Sequence, residues 1–421
     1  MLHLFFNRLR RSSFVTNVIT LAGGALLTKA ITLLCSPILT RLYSPADFGL
    51  LAVFLAVVSS LSPAVCGQYE VAMVLPKSHK QGVYLLGISL RVAIAFSFIF
   101  LVGVIFFDDH LLALLNAEQL GGWMFVAPVA LFFFGLMNAM KCFANRHKDY
   151  GTMAKVNVMN SLTVAVSGIV FGLLGVGFKG LLVSFMIGQI CSTSFLYISY
   201  LDKLPVNMIR WDTKKTILMK RYIDYPIYNA STGLLNGLFT AMPIFFLTHY
   251  FPVSVVGYYS IVTRVAKAPL SFIATSVSQV NLRKVVELRN DGGNIRLYLI
   301  KVTIGLAAIM LPPILLLFFF SPEIFTLLFG EEWQEAGTYM QILIPALFIK
   351  FIASSLSTTL PATQNNRIMA IWKITAFMIT LIVYLLFAPQ QDPMLFLKAI
   401  AVTEVILYLL YYIIIMKSAI A

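Results

Sequence analysis

Charged side chains are scarce in this chain of 421 residues, and acids are the scarcest, with 17 Asp and Glu against 31 Lys and Arg. Only 11% of the residues are charged, whereas 59% are hydrophobic. A soluble domain of this length does not need so much apolar surface, so the composition indicates a chain solvated by lipid. The basic residues cluster in short loops at helix ends, where membrane topology and anionic lipid heads explain them. The net charge of +14 therefore does not predict a nucleic-acid partner.

The chain has only four cysteines and lacks several common catalytic motifs. The cysteines Cys35, Cys66, Cys142 and Cys191 lie in or at the ends of apolar runs, and none forms a CxxC pair. We interpret them as small packing residues rather than disulfides or metal ligands. The sequence contains no phosphate-binding GxxxxGK[ST] loop, no HExxH and no GxSxG, and its outward loops are too short for a catalytic domain. It thus predicts a protein that is not an enzyme and that needs no cofactor.

Continuous apolar runs of about 20 residues or more fill most of the chain, long enough to cross a bilayer as helices. They are continuous rather than alternating, so the expected fold is an all-α integral membrane protein. The predicted helices lie near 15–39, 48–69, 83–107, 121–141, 154–174, 178–200, 225–249, 256–281, 297–320, 337–360, 368–388 and 393–416.

Most Lys and Arg residues fall on one side of the membrane once the chain is divided into these runs. The other side holds only Arg41, Lys179 and Lys398. Because cytoplasmic loops accumulate positive charge, both termini are expected to be cytoplasmic. Five cations remain within apolar runs, namely Lys29, Arg91, Arg264, Lys267 and Lys350.

The longest cytoplasmic connection divides the predicted helices into two groups of six. We expect an N-terminal lobe at 1–200, an amphipathic linker at 201–224 and a C-terminal lobe at 225–421. The linker carries basic residues beside Trp211, Ile217 and Leu218, which is typical of a helix at a lipid surface. Weakly similar spacings of Gly and Pro in the two groups suggest an internal duplication, as in many secondary transporters, although chance resemblance is an open alternative.

Lys29 is the clearest buried cation, because it lies near the middle of the first predicted helix. It shares one helical face with Thr32, Ser36 and Thr40. Charges within the membrane are costly and normally face a cavity or a partner. The alternative is a structural lysine that snorkels or pairs with Glu70 or Glu404.

Arg264 and Lys267 are three residues apart on the eighth predicted helix and therefore share a face. Ser260, Ser271 and Thr275 extend that face. Two cations on one stripe are reasonable if the stripe meets water and an anionic ligand. Helix–helix hydrogen bonding is the alternative, but it explains the hydroxyls and not the cations.

Further polar residues follow the same theme. They are Asn229 and Asn236 on the seventh helix, Glu70 at the end of the second, Lys350 on the tenth and Arg41 at the outer end of the first. We expect helices one, two, seven and eight to line a cationic central cavity. Glu404, deep in the twelfth helix, is a candidate ion-coupling carboxylate, and a structural ion pair is equally compatible with its position.

Three stretches carry a family resemblance. They are Arg41–Gly49 (RLYSPADFG), Gln68–Glu70 (QYE) followed by VAMVLP, and Gly257–Val262 (GYYSIV) leading to Ser278 and Gln279. The chain resembles the polysaccharide transporters, which are O-antigen and lipid-linked oligosaccharide flippases of the multidrug/oligosaccharidyl-lipid/polysaccharide exporter (MOP) superfamily. By position, Lys29 and Arg264 look like basic residues of the lipid II flippases. Lysine lacks the bidentate fork of arginine, so this likeness does not extend to a bidentate phosphate contact at position 29.

The resemblance implies a MATE-like fold of two six-helix lobes in a V. It also implies alternating-access flipping of undecaprenyl-diphosphate-linked oligosaccharide across a bacterial inner membrane, as part of O-antigen and lipopolysaccharide biosynthesis. Partners would be membrane lipids and, at the loops, a polysaccharide polymerase and a chain-length regulator. Two alternatives stay open, a drug or cation exporter of the same fold and a membrane polymerase or glycosyltransferase.

Overall fold

The computed structural model describes residues 13–205, 210 and 212–419, and its regular structure there is helical throughout. Twelve helices of 17 residues or more follow one another in this part of the chain. They are α1 (Ser13–Leu42), α2 (Pro45–Leu61), α3 (His79–Leu114), α4 (Val126–Arg146), α5 (Tyr150–Leu173), α6 (Phe178–Ile198), α7 (Ser231–Tyr250), α8 (Val253–Asn290), α9 (Ile295–Phe329), α10 (Gln334–Leu356), α11 (Asn366–Phe387) and α12 (Pro393–Ser418).

Each predicted run overlaps one of these helices, although the predicted second run, 48–69, continues past the end of α2 at Leu61. Within the residues that the structure describes, eleven helical stretches are long and apolar enough to cross a membrane. The exception is α8, whose hydroxyls, amides and two mid-helix cations lower its mean hydropathy. The helical fold is confirmed, whereas a twelfth span and the placement of the termini stay predictions.

The chain forms two compact units, Met1–His249 and Tyr250–Ala421. In the first unit, α1 and α5 run side by side in the same direction. A Cβ atom added at Gly24 would lie 2.5 Å from Cβ of Ala154, and one added at Gly172, near the other end of α5, would lie 2.9 Å from Cβ of Leu42. Such close contact is typical of membrane helices, where small residues let backbones approach.

The corner between α1 and α2 is held by polar groups of the RLYSPADFG motif. The Tyr43 hydroxyl donates to the Gly168 carbonyl at 2.7 Å. Ser44 and Asp47 form a capping box at the start of α2. The same Asp47 carboxylate accepts a 2.7 Å hydrogen bond from the Phe178 amide at the start of α6. The motif therefore joins four helices of the first unit.

The second unit is packed around α10, which contacts α8, α9 and α12. The corner before α8 is aromatic where its counterpart in the first unit is polar. Phe251 lies 5.6 Å from the ring of Phe396, which in turn lies 5.2 Å from Tyr384. On the other side, Tyr258 makes an edge contact with Trp333. Aromatic packing thus replaces capping hydrogen bonds at this corner.

The linker forms a short helix, Thr213–Arg221, that docks on the first unit. Leu218 and Lys215 are buried, and the Lys215 ammonium lies 5.6 Å from the Tyr84 ring centre. The Tyr69 hydroxyl donates to the Met219 carbonyl at 3.3 Å. Ile217 stays 63% exposed on the outer face, as expected for a helix that meets lipid. Trp211 lies outside the described residues.

Candidate substrate-binding site

The predicted stripe on α8 is a continuous accessible surface. Lys267, Ser271 and Thr275 are exposed, and Ser260 and Arg264 are half-buried. The Thr275 hydroxyl donates to the Ser271 carbonyl at 2.8 Å, so it bonds to its own helix. The Ser260 hydroxyl likewise donates to the Gly257 carbonyl of its own helix at 2.8 Å, so the two cations are the groups of this stripe with the most to offer an anionic ligand.

Lys350 and Glu404 form an ion pair within the second unit. The Lys350 ammonium donates to a Glu404 carboxylate oxygen at 2.6 Å, which joins α10 to α12. The same ammonium lies 5.1 Å from the centre of the Tyr408 ring, one helical turn from Glu404. The side chains keep 32% and 24% of their surfaces exposed, so the pair is not sealed inside the core.

Lys267 lies within electrostatic range of this pair. The charges that act on its ammonium are those of Lys350 and Glu404. The second unit therefore brings together two predicted substrate-binding lysines and the predicted coupling carboxylate. The sequence left Glu404 as one alternative partner of Lys29. The structure shows that Glu404 is paired with Lys350 instead.

The amides predicted on the seventh helix lie on an exposed surface of the first unit. Asn229 belongs to a π-helical turn, Tyr225–Ala230, that leads into α7, and Asn236 lies in α7 itself. A Cβ atom at Gly237 would collide with the backbone of Ser60, which places α7 directly against the end of α2. The glycine thus allows the close approach, while the amides face away from the first unit's core.

The polar face predicted on α1 is partly exposed and partly buried in the structure. Lys29 is exposed, but Ser36 and Thr40 are buried, with 0% and 4% of their surfaces exposed. Thr32 and Ser36 donate to carbonyls four residues earlier, at 2.9 and 2.7 Å. Arg41 is exposed in the last turn of α1, roughly 18 Å along the helix from Lys29 at ~1.5 Å per residue.

Glu70 is buried rather than open to a ligand. Only 4% of its surface is exposed, and its Oε2 atom has no hydrogen-bond partner among the described residues. Burial raises the pKa of this carboxyl from 4.5 to about 7, while its own backbone amide lowers the pKa by a smaller amount. Cys66 and Cys142 are the titratable neighbours on which its charge acts.

Sequence reasoning missed two features that the structure adds. Tyr408 lies beside the Lys350 ammonium, and Tyr259 lies within electrostatic range of the Lys350–Glu404 pair. The position of Tyr408 one turn after Glu404 could have indicated its contact. Asn281, fully buried in the second half of α8, donates to the hydroxyls of Thr358 and Thr359 at 3.1 and 3.0 Å. Its partners are nearly eighty residues away in the chain, so no local pattern could reveal this contact.

A groove of about 450 Å³ lies between α1 and α5. Its walls include Gly23, Leu27, Val158 and Met159, and Lys155 is the charged residue among them. An apolar groove edged by one cation suits a lipid chain with an anionic head. Among the described residues, no group of three or more His, Cys, Asp or Glu side chains is placed to hold a metal ion.

Comparison with known families decides the relationship. Residues 38–338 match the family model described as polysaccharide biosynthesis protein, which is well over half of the chain. The chain belongs to this family. The match agrees with the resemblance to polysaccharide transporters drawn from its motifs. A search of curated protein sequences returns no significant match.

Solved structures with the same fold include both flippases and drug exporters. The lipid II flippase MurJ in an inward closed conformation aligns with a TM-score of 0.75 and 15% identity, covering 95% of this chain and 87% of that one. An inward-facing multidrug resistance MATE family transporter aligns with a TM-score of 0.67 and 15% identity, covering 94% of this chain and 97% of that one. A third structure is a MOP superfamily transporter from Pyrococcus furiosus, described as having a binding pocket of reverse polarity. It aligns with a TM-score of 0.60 and 14% identity, covering 96% of each chain.

The family match and the helices long enough to cross a membrane indicate a multi-pass membrane protein of the polysaccharide biosynthesis family. Identities near 15% show the fold alone. The nature of the cargo must therefore be argued from this chain's own residues.

Proposed function

We propose that this protein flips undecaprenyl-diphosphate-linked oligosaccharide, such as an O-antigen repeat unit, from the cytoplasmic to the periplasmic leaflet of a bacterial inner membrane. The observation that carries the proposal is the α8 stripe, where Arg264 and Lys267 lie three residues apart on an accessible face of one helix. Two cations on one membrane helix are costly unless an anion neutralises them. A diphosphate between lipid and sugar is such an anion.

Each chemical part of this substrate has a suitable counterpart in the chain. Arg264, Lys267 and Lys29 would hold the diphosphate by charge-assisted hydrogen bonds. Asn229 and Asn236 are exposed and offer both donors and acceptors to sugar hydroxyls. The lipid chain would remain in the bilayer, where the groove between α1 and α5 can accept it.

Transport would proceed by alternating access through a central cavity, without chemical change to the substrate. Glu404 would take part in coupling to an ion. A polysaccharide polymerase and a chain-length regulator would act on the product at the periplasmic side, both termini remaining cytoplasmic.

The deciding experiment is deletion of the gene in its host, followed by complementation. We expect loss of surface polysaccharide and accumulation of lipid-linked intermediates on the cytoplasmic leaflet, with rescue by wild type and not by Arg264→Ala or Lys29→Ala. Arg283→Ala is a matched control, because this cation lies on the same helix at an exposed end, paired with Glu287 at 3.0 Å. Normal surface polysaccharide in the deletion strain, with efflux of cationic dyes by the purified protein, would instead support a drug exporter.

A further inference from the structure

The Lys350–Glu404 pair differs from an ordinary structural ion pair in its surroundings. A second cation, Lys267, lies within electrostatic range of both members, and Lys350 is the lysine that donates to the carboxylate. Lys267, Lys350 and Glu404 together carry a net positive charge. An ion pair that only joins two helices would not need the additional cation. Moreover, Lys267 is exposed, and the pair itself remains partly accessible.

The groups around Glu404 are cations and hydrogen-bond donors, which have the chemistry that an anion requires. Lys350 donates to the carboxylate at 2.6 Å, Lys267 acts on it from α8, and the phenol of Tyr259 lies within its electrostatic range. Tyr408 supports the Lys350 ammonium from beneath. Ammonium groups and phenols that bind a carboxylate are equally suited to phosphate oxygens, which carry more charge and accept more hydrogen bonds.

We propose that Glu404 is an internal counter-anion, which occupies Lys350 in the empty protein and gives up that lysine to a phosphate oxygen when a diphosphate binds. The inference rests on the proposed function, because it assigns to Lys267 and Lys350 the diphosphate of the same substrate. It adds a role for Glu404 in the release of the cargo. Glu404 limits how tightly the site holds its cargo, since a diphosphate must displace it on binding and it returns when the cargo leaves.

A competing internal anion has a definite thermodynamic consequence. The apparent affinity for diphosphate is lowered by the fraction of protein in which Lys350 is engaged by Glu404. Glu404→Gln keeps the size of the side chain and removes its charge. It should therefore bind an inorganic diphosphate more tightly and release the lipid-linked cargo more slowly.

The test measures binding of inorganic pyrophosphate to the full-length protein in nanodiscs by calorimetry. Glu404→Gln should bind about tenfold more tightly than wild type, which is the ratio expected if Lys350 is engaged by Glu404 about nine-tenths of the time. Lys350→Gln and Lys267→Gln should bind more weakly. The double variant Lys350→Gln with Glu404→Gln should resemble Lys350→Gln, because no lysine remains to be released. Glu323→Gln, an exposed acid on α9, is the matched control and should match wild type.

A purely structural pair gives a different pattern. If Glu404→Gln binds pyrophosphate no more tightly than wild type while Lys267→Gln binds more weakly, the counter-anion role is overturned and the proposed function stands. If neither wild type nor any variant binds pyrophosphate, the cationic site of the proposed function fails as well.

A second measurement does not depend on the variants folding. A hydrophobic carbodiimide labels accessible carboxyls, and the labelled residue can be identified by mass spectrometry. Pyrophosphate should increase labelling of Glu404 in wild-type protein severalfold, because the displaced carboxylate leaves its lysine, while labelling of Glu323 stays constant. Unchanged or reduced labelling of Glu404 at saturating pyrophosphate would overturn the proposal.

Discussion

The helices α1 and α8 both carry a polar stripe in the sequence, yet the structure treats the two stripes in opposite ways. On α1 the hydroxyls of Ser36 and Thr40 are buried, and Lys29 alone of the stripe's charged and hydroxyl groups is exposed. On α8 the stripe is accessible along its length and includes two cations. Hydroxyls at helical spacing therefore indicate close helix packing as readily as a ligand surface. Charge distinguishes the two cases, because a cation cannot be satisfied by its own helix backbone.

The largest expected effect comes from removing the charge from α8. The double variant Arg264→Gln with Lys267→Gln should lower transport of lipid-linked oligosaccharide by at least roughly a hundredfold, if each lost charge-assisted hydrogen bond is worth ~1.5–3 kcal/mol. Flipping into the outer leaflet of proteoliposomes measures this directly. The double variant Ser36→Ala with Thr40→Ala on α1 is the matching half of the comparison and should leave transport near the wild-type rate. Equal loss in both would mean that the hydroxyls of α1 also contact the cargo.

These same two helices show what the sequence could and could not predict. The length of the apolar runs was sufficient for the approximate position of each long helix, because lipid requires every backbone group to be bonded within the segment, but it did not give the end of α2 at Leu61. The spacing of Arg264 and Lys267 was sufficient to place them on one face. Burial of Ser36 and the pairing of Lys350 with Glu404 could not be predicted, because both depend on which neighbouring helix packs against the residue. Likewise, the RLYSPADFG motif identified a family, but its hydrogen bonds to Gly168 and Phe178 became evident only in three dimensions.

The first unit has its own ionisable group, and its chemistry differs from that of the second unit. Glu404 has a lysine partner, whereas Glu70 is buried with an unpartnered oxygen and a pKa raised to about 7. A folded-state pKa above the ordinary 4.5 means that the folded protein binds more protons between these two values. Stability should therefore be highest below pH 4.5, fall as the pH rises toward 7, and level off above it.

The expected loss of stability over this window is about 3 kcal/mol, because each tenfold rise in the proton affinity of the carboxyl corresponds to ~1.36 kcal/mol. Denaturant unfolding of purified protein at a series of pH values measures it. Glu70→Gln should remove this part of the pH dependence and should be more stable than wild type above pH 7, since it removes a buried charge. Glu118→Gln, an exposed acid of the same unit, should retain the wild-type profile. A pH profile unchanged by Glu70→Gln would show that the carboxyl is solvated or paired in the folded protein.

The smallest expected effect concerns the apolar groove on α1, the helix whose stripe proved to be largely structural. A Cβ atom at Gly23 meets nothing within 4 Å, so a leucine there should fill the groove without disturbing the packing of α1 against α5. Displacing one methylene of a bound lipid chain, at ~0.8 kcal/mol, should weaken substrate binding roughly fourfold. The measurement is binding of a polyprenyl diphosphate to Gly23→Leu compared with inorganic pyrophosphate, which has no chain and should bind as to wild type. Gly103→Leu on α3 is the matched control, because its Cβ also meets nothing. Equal weakening for both ligands would mean that the substitution affects the binding of the diphosphate rather than of the lipid chain. In that case α1 would contribute to the anion-binding surface, as α8 does.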